Sequence, residues 1–195
     1  MEIVSISEAL VHSYDAIVAI ERSGEAVDLK HYRMTGKPVY HLNNMHLFDK
    51  FFHSATENPN IFTIGIGDGG NELGTGKALQ RVRKYIPHGE KIGCHIKANF
   101  TIFAGISNWG GYALAQSLYI LRNDSSHCYY VDHGLRNTSA NIKAISFDDE
   151  IRILEILQSF GINDPLQQSS VNELTVDGIP ISDQKELLKD LLVSS

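Results

Sequence analysis

Between Ile61 and Lys77 the chain reads IFTIGIGDGGNELGTGK, and no other stretch restricts its folding as strongly. Six of the twelve residues from Gly65 to Gly76 are glycine. Glycine loses more backbone entropy on folding than any other residue, so such a density implies positive φ angles or close approach of main chain to something else. The preceding Ile61–Ile66, β-branched and aromatic without charge, reads as a short buried strand, and an amphipathic helix is expected after the glycines. Strand, glycine loop and helix N-terminus together predict a cradle of amides for an anion. Asp68 and Glu72 place carboxylates in that cradle, where they would repel a polyphosphate unless a metal or an ammonium group intervened. A zwitterion or a metal-bound carboxylate is the expected occupant.

Gly65, Gly67 and Gly70 satisfy G-x-G-x-x-G, but a dinucleotide fold wants an acidic residue about 20 positions on, at the end of the next strand. The next apolar stretch, Ile92–Ile96, reads as that strand and ends in Lys97, Ala98 and Asn99. The same lack, with the carboxylate-rich loop, weighs against a methyltransferase. A P-loop would need Ser or Thr after Lys77 and a glycine five positions before Gly76, and the chain has Ala78 and Asn71 there.

Upstream, Asp15–Ile20 is a continuous apolar run, as expected for a strand covered on both faces, and it stops at Glu21 and Arg22. Ligands of parallel sheets bind beyond the carboxyl ends of strands, so this charged pair lies where chemistry is expected. Mutual pairing, or pairing with a loop, is the structural alternative. Gly36 and Pro38 mark a turn, and Tyr32, Arg33 and Met34 around it are expected in a packed surface loop, with covering a ligand as the alternative. Leu47, Phe48, Phe51, Phe52 and Ala55 recur at helical spacing from about Asn44 to Glu57, with His46, Asp49, Lys50 and His53 on the solvated side.

After the glycines, Leu79, Val82 and Ile86 form an apolar stripe opposite Lys77, Arg81, Arg83 and Lys84, basic residues that suit a helix C-terminal half. Lys77 stands apart beside the loop. Phe100–Ile106 reads as a strand, alone or in a hairpin with Ile92–Ile96. It leads into a second strand-to-helix junction, Ser107, Asn108, Trp109, Gly110, Gly111 and Tyr112, whose helix runs to about Arg122. Trp109 there is a pocket wall or a partly buried core residue. Asn123–Ala144 is expected as a long loop, and its His127, Cys128 and His133 fit no four-ligand zinc spacing. A helix follows from about Asp148 to Phe160 with Ile153, Leu154, Leu157 and Phe160 inward and Gly161 as its stop. Asp177-Gly178 signals a turn, and Ser182 is expected to cap a last helix to about Val193.

The composition excludes several classes. A net charge of −6 argues against a nucleic-acid or anionic-membrane partner. Cys94 and Cys128 cannot build a disulfide framework and read as buried thiols in a reducing compartment. No apolar run approaches the roughly 20 residues of a membrane span, and MEIVSISEAL lacks the pattern of a targeting segment. A length of 195 residues suits one α/β domain.

Four segments carry a resemblance: AIVAIERSG from Ala16, GIGDGGNELGTGK from Gly65, AGISNWGGYAL from Ala104 and, more weakly, TVDGIP from Thr175. Together, from about Asp15 to Pro180, they resemble the C-terminal domain of the D-glutamate cyclase family. Members usually carry a further strand-and-helix unit ahead of the first segment, so a chain without that unit is expected. The resemblance implies a three-layer, Rossmann-like α/β fold with a mostly parallel sheet. It implies conversion of D-glutamate to 5-oxo-D-proline with loss of water, in an intracellular and, in animals, mitochondrial setting.

That reaction needs a base, oxyanion stabilisation, an acid for the leaving oxygen and a folded-back substrate. The amides from Gly67 through Gly69 to Gly70 are the expected oxyanion or carboxylate donors. Asp68, Glu72 and Glu21 are candidates to hold the ammonium and take its proton, with Asp68 the expected base because a first-turn Glu72 is also explained by the helix dipole. Arg22, Asn71, Ser107, Asn108 and Trp109 complete the expected substrate contacts. Magnesium or manganese bridging Asp68 and Glu72 is one way to activate the γ-carboxylate, and direct binding of the amine without a cofactor is the other. A non-catalytic binding module for an acidic amino acid is the rival reading.

Overall fold

Three parallel strands, β1 (Ala16–Ile20), β2 (Phe62–Gly67) and β3 (Phe100–Phe103), pair in the order β1-β2-β3. The computed structural model describes residues 14–39, 45–123, 146–167 and 173–192. They belong to two units that divide between Gly110 and Gly111.

The first unit holds the sheet. Side chains alternate across a strand, and the register sets Ile17 and Ala19 beside Thr63 and Gly65 on one face. Helix α1 (Met45–Glu57) covers that face: Phe52 packs with Ala19, Leu73, Cys94, Ile96 and Ala98, and Thr56 Oγ1 hydrogen-bonds Thr63 Oγ1 at 2.8 Å. On the opposite face Gly110, in the first turns of α4 (Ser107–Asn123), lies against Ile66 and Ile102. The result is an α/β fold with helices on both faces of a parallel sheet. Among the described residues the rest of the second face is apolar and exposed at Val18, Ile20, Phe62 and Phe100, the two phenylalanine rings 6.0 Å apart, so β1 is not covered on both faces as its apolar run suggests.

Three expectations are corrected here. The glycine loop does not run straight into a helix: a single 3₁₀ turn (Gly76–Ala78) precedes α2 (Leu79–Tyr85), so Glu72 lies outside any first helical turn. The loop is held instead by Thr75, whose Oγ1 donates to the carbonyls of Glu72 and Gly70 at 2.6 and 3.2 Å. Ile92–Ile96 is not a strand, because Ile92 closes α3 (Gly89–Ile92) and the residues after it pair with loops: Cys94 N donates to Gly70 O at 2.9 Å, and Ile96 O accepts from Gly76 N at 2.9 Å. It forms no hairpin with β3, which ends at Phe103. In α1 the inward face is Met45, Asp49, Phe52 and Ala55, so Asp49 is buried and Phe48 exposed, the reverse of the amphipathic reading.

The second unit contains α5 (Phe147–Ser159), the two-residue strands β4 (Thr175–Val176) and β5 (Ile179–Pro180), and α6 (Ile181–Leu191). Ser146 and Asp149 form a reciprocal capping box at the start of α5, and Gly161, at φ 73°, follows its end. Asp177 and Gly178 take φ values of 56° and 75° in the expected hairpin turn. Asp164 braces that turn, accepting from Gly178 N at 2.6 Å and Thr175 Oγ1 at 2.8 Å. Pro180 rather than Ser182 precedes α6, and the Ser182 amide donates to Glu173 Oε1 at 2.8 Å. Ile153, Leu157 and Phe160, expected inward, are exposed. Beyond Asn123 the expected loop with His127, Cys128 and His133 lies outside the described residues, as do Asn44 and Val193.

β2 packs backbone against backbone on the glycine loop: a Cβ on Gly65 would lie 2.7 Å from Gly74 Cα. Gly65→Ala is therefore expected to lower stability by about 1–3 kcal/mol, read as a reduced urea midpoint. An unchanged midpoint would mean that the two backbones separate without cost.

Candidate active site

The carboxyl ends of β1 and β2 bring together Glu21, Asp68 and Glu72, one oxygen of each lying within 4.8 Å of the others. Each arrives by a different local device. Glu21 follows β1 at φ 50°, a left-handed backbone rarely taken by a non-glycine residue and costing about 1–3 kcal/mol. Its amide donates to Ile66 O at 3.1 Å, which fixes the turn to β2. Asp68 is the first residue beyond β2. Its Oδ2 accepts from both the amide and the hydroxyl of Ser107, each at 3.1 Å, so the acid of one junction caps the helix of the other.

Glu72 sits inside the loop, only 2% exposed. Its Oε1 accepts from the amides of Gly69 at 2.8 Å and Asp68 at 3.3 Å, and its Oε2 from Gly70 at 2.6 Å. The amides expected to hold a substrate carboxylate or oxyanion are thus engaged by the protein's own side chain. Burial, reinforced by the charge of Asp68, raises the Glu72 carboxyl above its ordinary range although the loop amides favour its charged form.

The glycines follow from this packing. A Cβ on Gly67 would fall 2.5 Å from Glu72 Oε2, one on Gly69 would meet Met34 Sδ, and one on Gly70 would meet Val82. Met34 therefore lies over the loop itself. Asn71, expected to contact substrate, turns inward and donates to Tyr32 O at 2.8 Å. Lys77 donates to the Asn99 carbonyl rather than facing the loop.

Arg22 points elsewhere than Glu21. Its guanidinium lies 4.2 Å from the centroid of the Phe48 ring, and its buried Nε has no hydrogen-bond partner among the described residues. That nitrogen is a donor left for an anion. Asn108 and Trp109 lie half-buried in the first turn of α4, with the indole against Gly105. Sequence reasoning missed Phe48, which helical periodicity placed in the core; Met34 stood in a loop read as packed surface, with covering a ligand as the lesser alternative. Cys94 offers no nucleophile, since burial pushes its thiol up to about 12.

Three oxygens so arranged suit one cation, a primary ammonium or a divalent ion with oxygen ligands. Both Glu72 oxygens already accept amides, so a bound ion would draw on the remaining capacity of Glu72 and on Asp68 and Glu21.

These features sit on a recognisable family framework. The model of the D-glutamate cyclase-like, C-terminal family matches residues 3–192, and the chain belongs to that family. Over 118 residues, 60% of its length, it is 46% identical to the human protein named D-glutamate cyclase, mitochondrial. That match covers 19% of the human protein, so the chain spans about a fifth of this relative.

Glu72→Gln tests the internal cap. An amide cannot accept through its nitrogen, so one loop N–H loses its partner, at a cost of roughly 1–3 kcal/mol. The raised carboxyl adds a pH signature: its stabilising contribution is complete below the ordinary glutamate value and is lost as pH rises through the folded-state value. The melting temperature is expected to fall in Glu72→Gln, and its gap from the unsubstituted protein to narrow as pH rises from 4 toward neutrality, the acid limit being approximately the ordinary glutamate pKa. A gap that widens over that range would show that the charged form is the favoured one.

Proposed function

We propose that the chain acts as a hydro-lyase that closes D-glutamate to 5-oxo-D-proline with loss of water. The observation that supports it is the meeting of Glu21, Asp68 and Glu72 at the strand ends, with the guanidinium of Arg22, whose buried Nε has no hydrogen-bond partner among the described residues, next in the chain. An ammonium and a carboxylate are the two charges of the substrate that such groups complement. In the reaction the amine nitrogen bonds to the γ-carboxyl carbon and one carbon–oxygen bond breaks. The two protons lost by the ammonium leave with that oxygen as water.

In this reading Asp68 and Glu21 hold the ammonium and Asp68 takes its proton. Glu72, its carboxyl raised by burial, is the group suited to return a proton to the leaving oxygen. Arg22 binds a substrate carboxylate, and Ser107, Asn108 and Trp109 line the approach. Manganese or magnesium held by the same carboxylates would polarise the γ-carboxylate. The name of the human relative supports a mitochondrial setting.

A second reading, an acidic-amino-acid binding module without turnover, is favoured by one observation: the loop amides are occupied by Glu72 and are not free to stabilise an oxyanion.

Mass spectrometry after incubation with D-glutamate is expected to find a product lighter by one water, formed far faster than from L-glutamate. Binding by calorimetry without product would decide for the second reading. Asp68→Asn should slow turnover by about 100-fold if Asp68 is the base while the melting temperature stays close to that of the unsubstituted protein; normal turnover there with a dead Glu21→Gln would move the base to Glu21. If a divalent ion assists, chelation abolishes activity and manganese or magnesium restores it. Full turnover after exhaustive chelation removes the ion from the reaction.

A further inference from the structure

A second cleft, of about 420 Å³, runs along α1 and is lined chiefly by Glu25, Asp49, Lys50, His53, Glu57 and Lys97. None of the three clustered carboxylates lines it. Its lower end lies at Thr56, which hydrogen-bonds Thr63 near the start of β2 and approaches Lys97 O at 3.5 Å. The carboxylate cluster lies beyond the other end of the same strand. The cleft is therefore a separate site on the sheet face covered by α1, extending toward the amino ends of the strands.

Its deepest polar group is Asp49, 2% exposed. Asp49 Oδ2 pairs with His31 Nε2 at 2.7 Å, but Oδ1 has no hydrogen-bond partner among the described residues. A buried carboxylate oxygen without a donor costs free energy, and native structures rarely keep one without a reason. Glu25 adds a second acid, its Oε1 3.3 Å from His95 Nε2. Toward the outside, Lys50, His53, Glu57 and Lys97 are exposed, and Ile96 contributes an apolar wall.

The charges decide the ligand class. Glu25, Asp49 and Glu57 oppose a polyanion, while Lys50 and Lys97 oppose a polyamine. A zwitterion finds partners for both its ends. A resident divalent ion is not suggested, because the one preformed group of ligating atoms among the described residues is the Glu21, Asp68 and Glu72 cluster. We propose that this cleft binds a free amino acid, with its ammonium directed to Asp49 Oδ1 and Glu25 and its carboxylate to Lys97. The site stands apart from the reaction proposed above and does not depend on it.

The imidazole NMR signals of His53 and His95, titrated with glycine, 4-aminobutyrate, butylamine and butyrate, test this. At least one of the two zwitterions is expected to shift both signals saturably, with butylamine and butyrate weaker by about tenfold or more, as for loss of a charge-assisted contact. Lys97→Ala, at an exposed position, should weaken the zwitterion by a similar factor without changing the melting temperature. Asp68→Asn should leave binding unchanged. Asp49→Asn should weaken it if the variant folds, and Lys97→Ala carries the test if it does not. No saturable shift with either zwitterion, equal binding of butylamine, or indifference to Lys97→Ala overturns the proposal. Loss of the shift in Asp68→Asn overturns it too, by assigning the response to the carboxylate cluster.

Discussion

The loop between β2 and α2 is organised around one carboxylate. Glu72 lies in the position that an external anion would take in a phosphate-binding loop, and it draws the amides of Asp68, Gly69 and Gly70 onto its two oxygens. A buried carboxylate is costly unless donors surround it, and these amides supply them without any side chain. The glycine at 67 follows, since any Cβ there would collide with Glu72. Gly67 thus serves an internal ligand, while Gly69 and Gly70 make room for Met34 and Val82, and the turn they shape presents Asp68 at the end of β2.

Asp68 then joins the two motifs that carry the family likeness. It leaves the glycine loop and accepts both donors of Ser107 at the head of α4. Glu21 approaches the same place from β1 through a backbone angle unfavourable for its residue type. Three carboxyl groups are therefore held closer together than their mutual repulsion would favour with all of them charged. The chain sustains this through hydrogen bonds to two of them, which is the condition under which a cation binds readily.

Much of this was legible in the sequence, for reasons that differ by element. β1 and β2 are continuous apolar runs closed by charge or glycine, a pattern few alternatives share. The α5 cap and the Asp177-Gly178 turn depend on local chemistry alone and appear as expected. Ile92–Ile96 failed because a short apolar run does not state whether its neighbour is a sheet or a loop, and here Gly70 and Gly76 are its partners. Asp49 was misplaced because a polar side chain in an amphipathic pattern is assigned outward by default, and the hydrogen bond of Asn71 to a loop carbonyl has no signal in the sequence. Inside the fold a distant residue meets each: His31 pairs with one of the two Asp49 oxygens, and the Tyr32 carbonyl accepts from Asn71. The three acids were all singled out, yet the inward role of Glu72 depends on how the loop folds back, which glycine spacing does not encode.

The bond between Asp68 and Ser107 also gives the molecule a built-in optical gauge. Trp109 is the chain's single tryptophan, and it lies two residues past the helix start that Asp68 holds. A cation that draws electron density from Asp68 weakens the cap and alters the electrostatic field at the indole. Tryptophan emission from the unlabelled protein, excited to the red of tyrosine absorption, therefore comes from one reporter beside the carboxylates, and a change in its wavelength follows occupancy there without a dye or a catalytic readout.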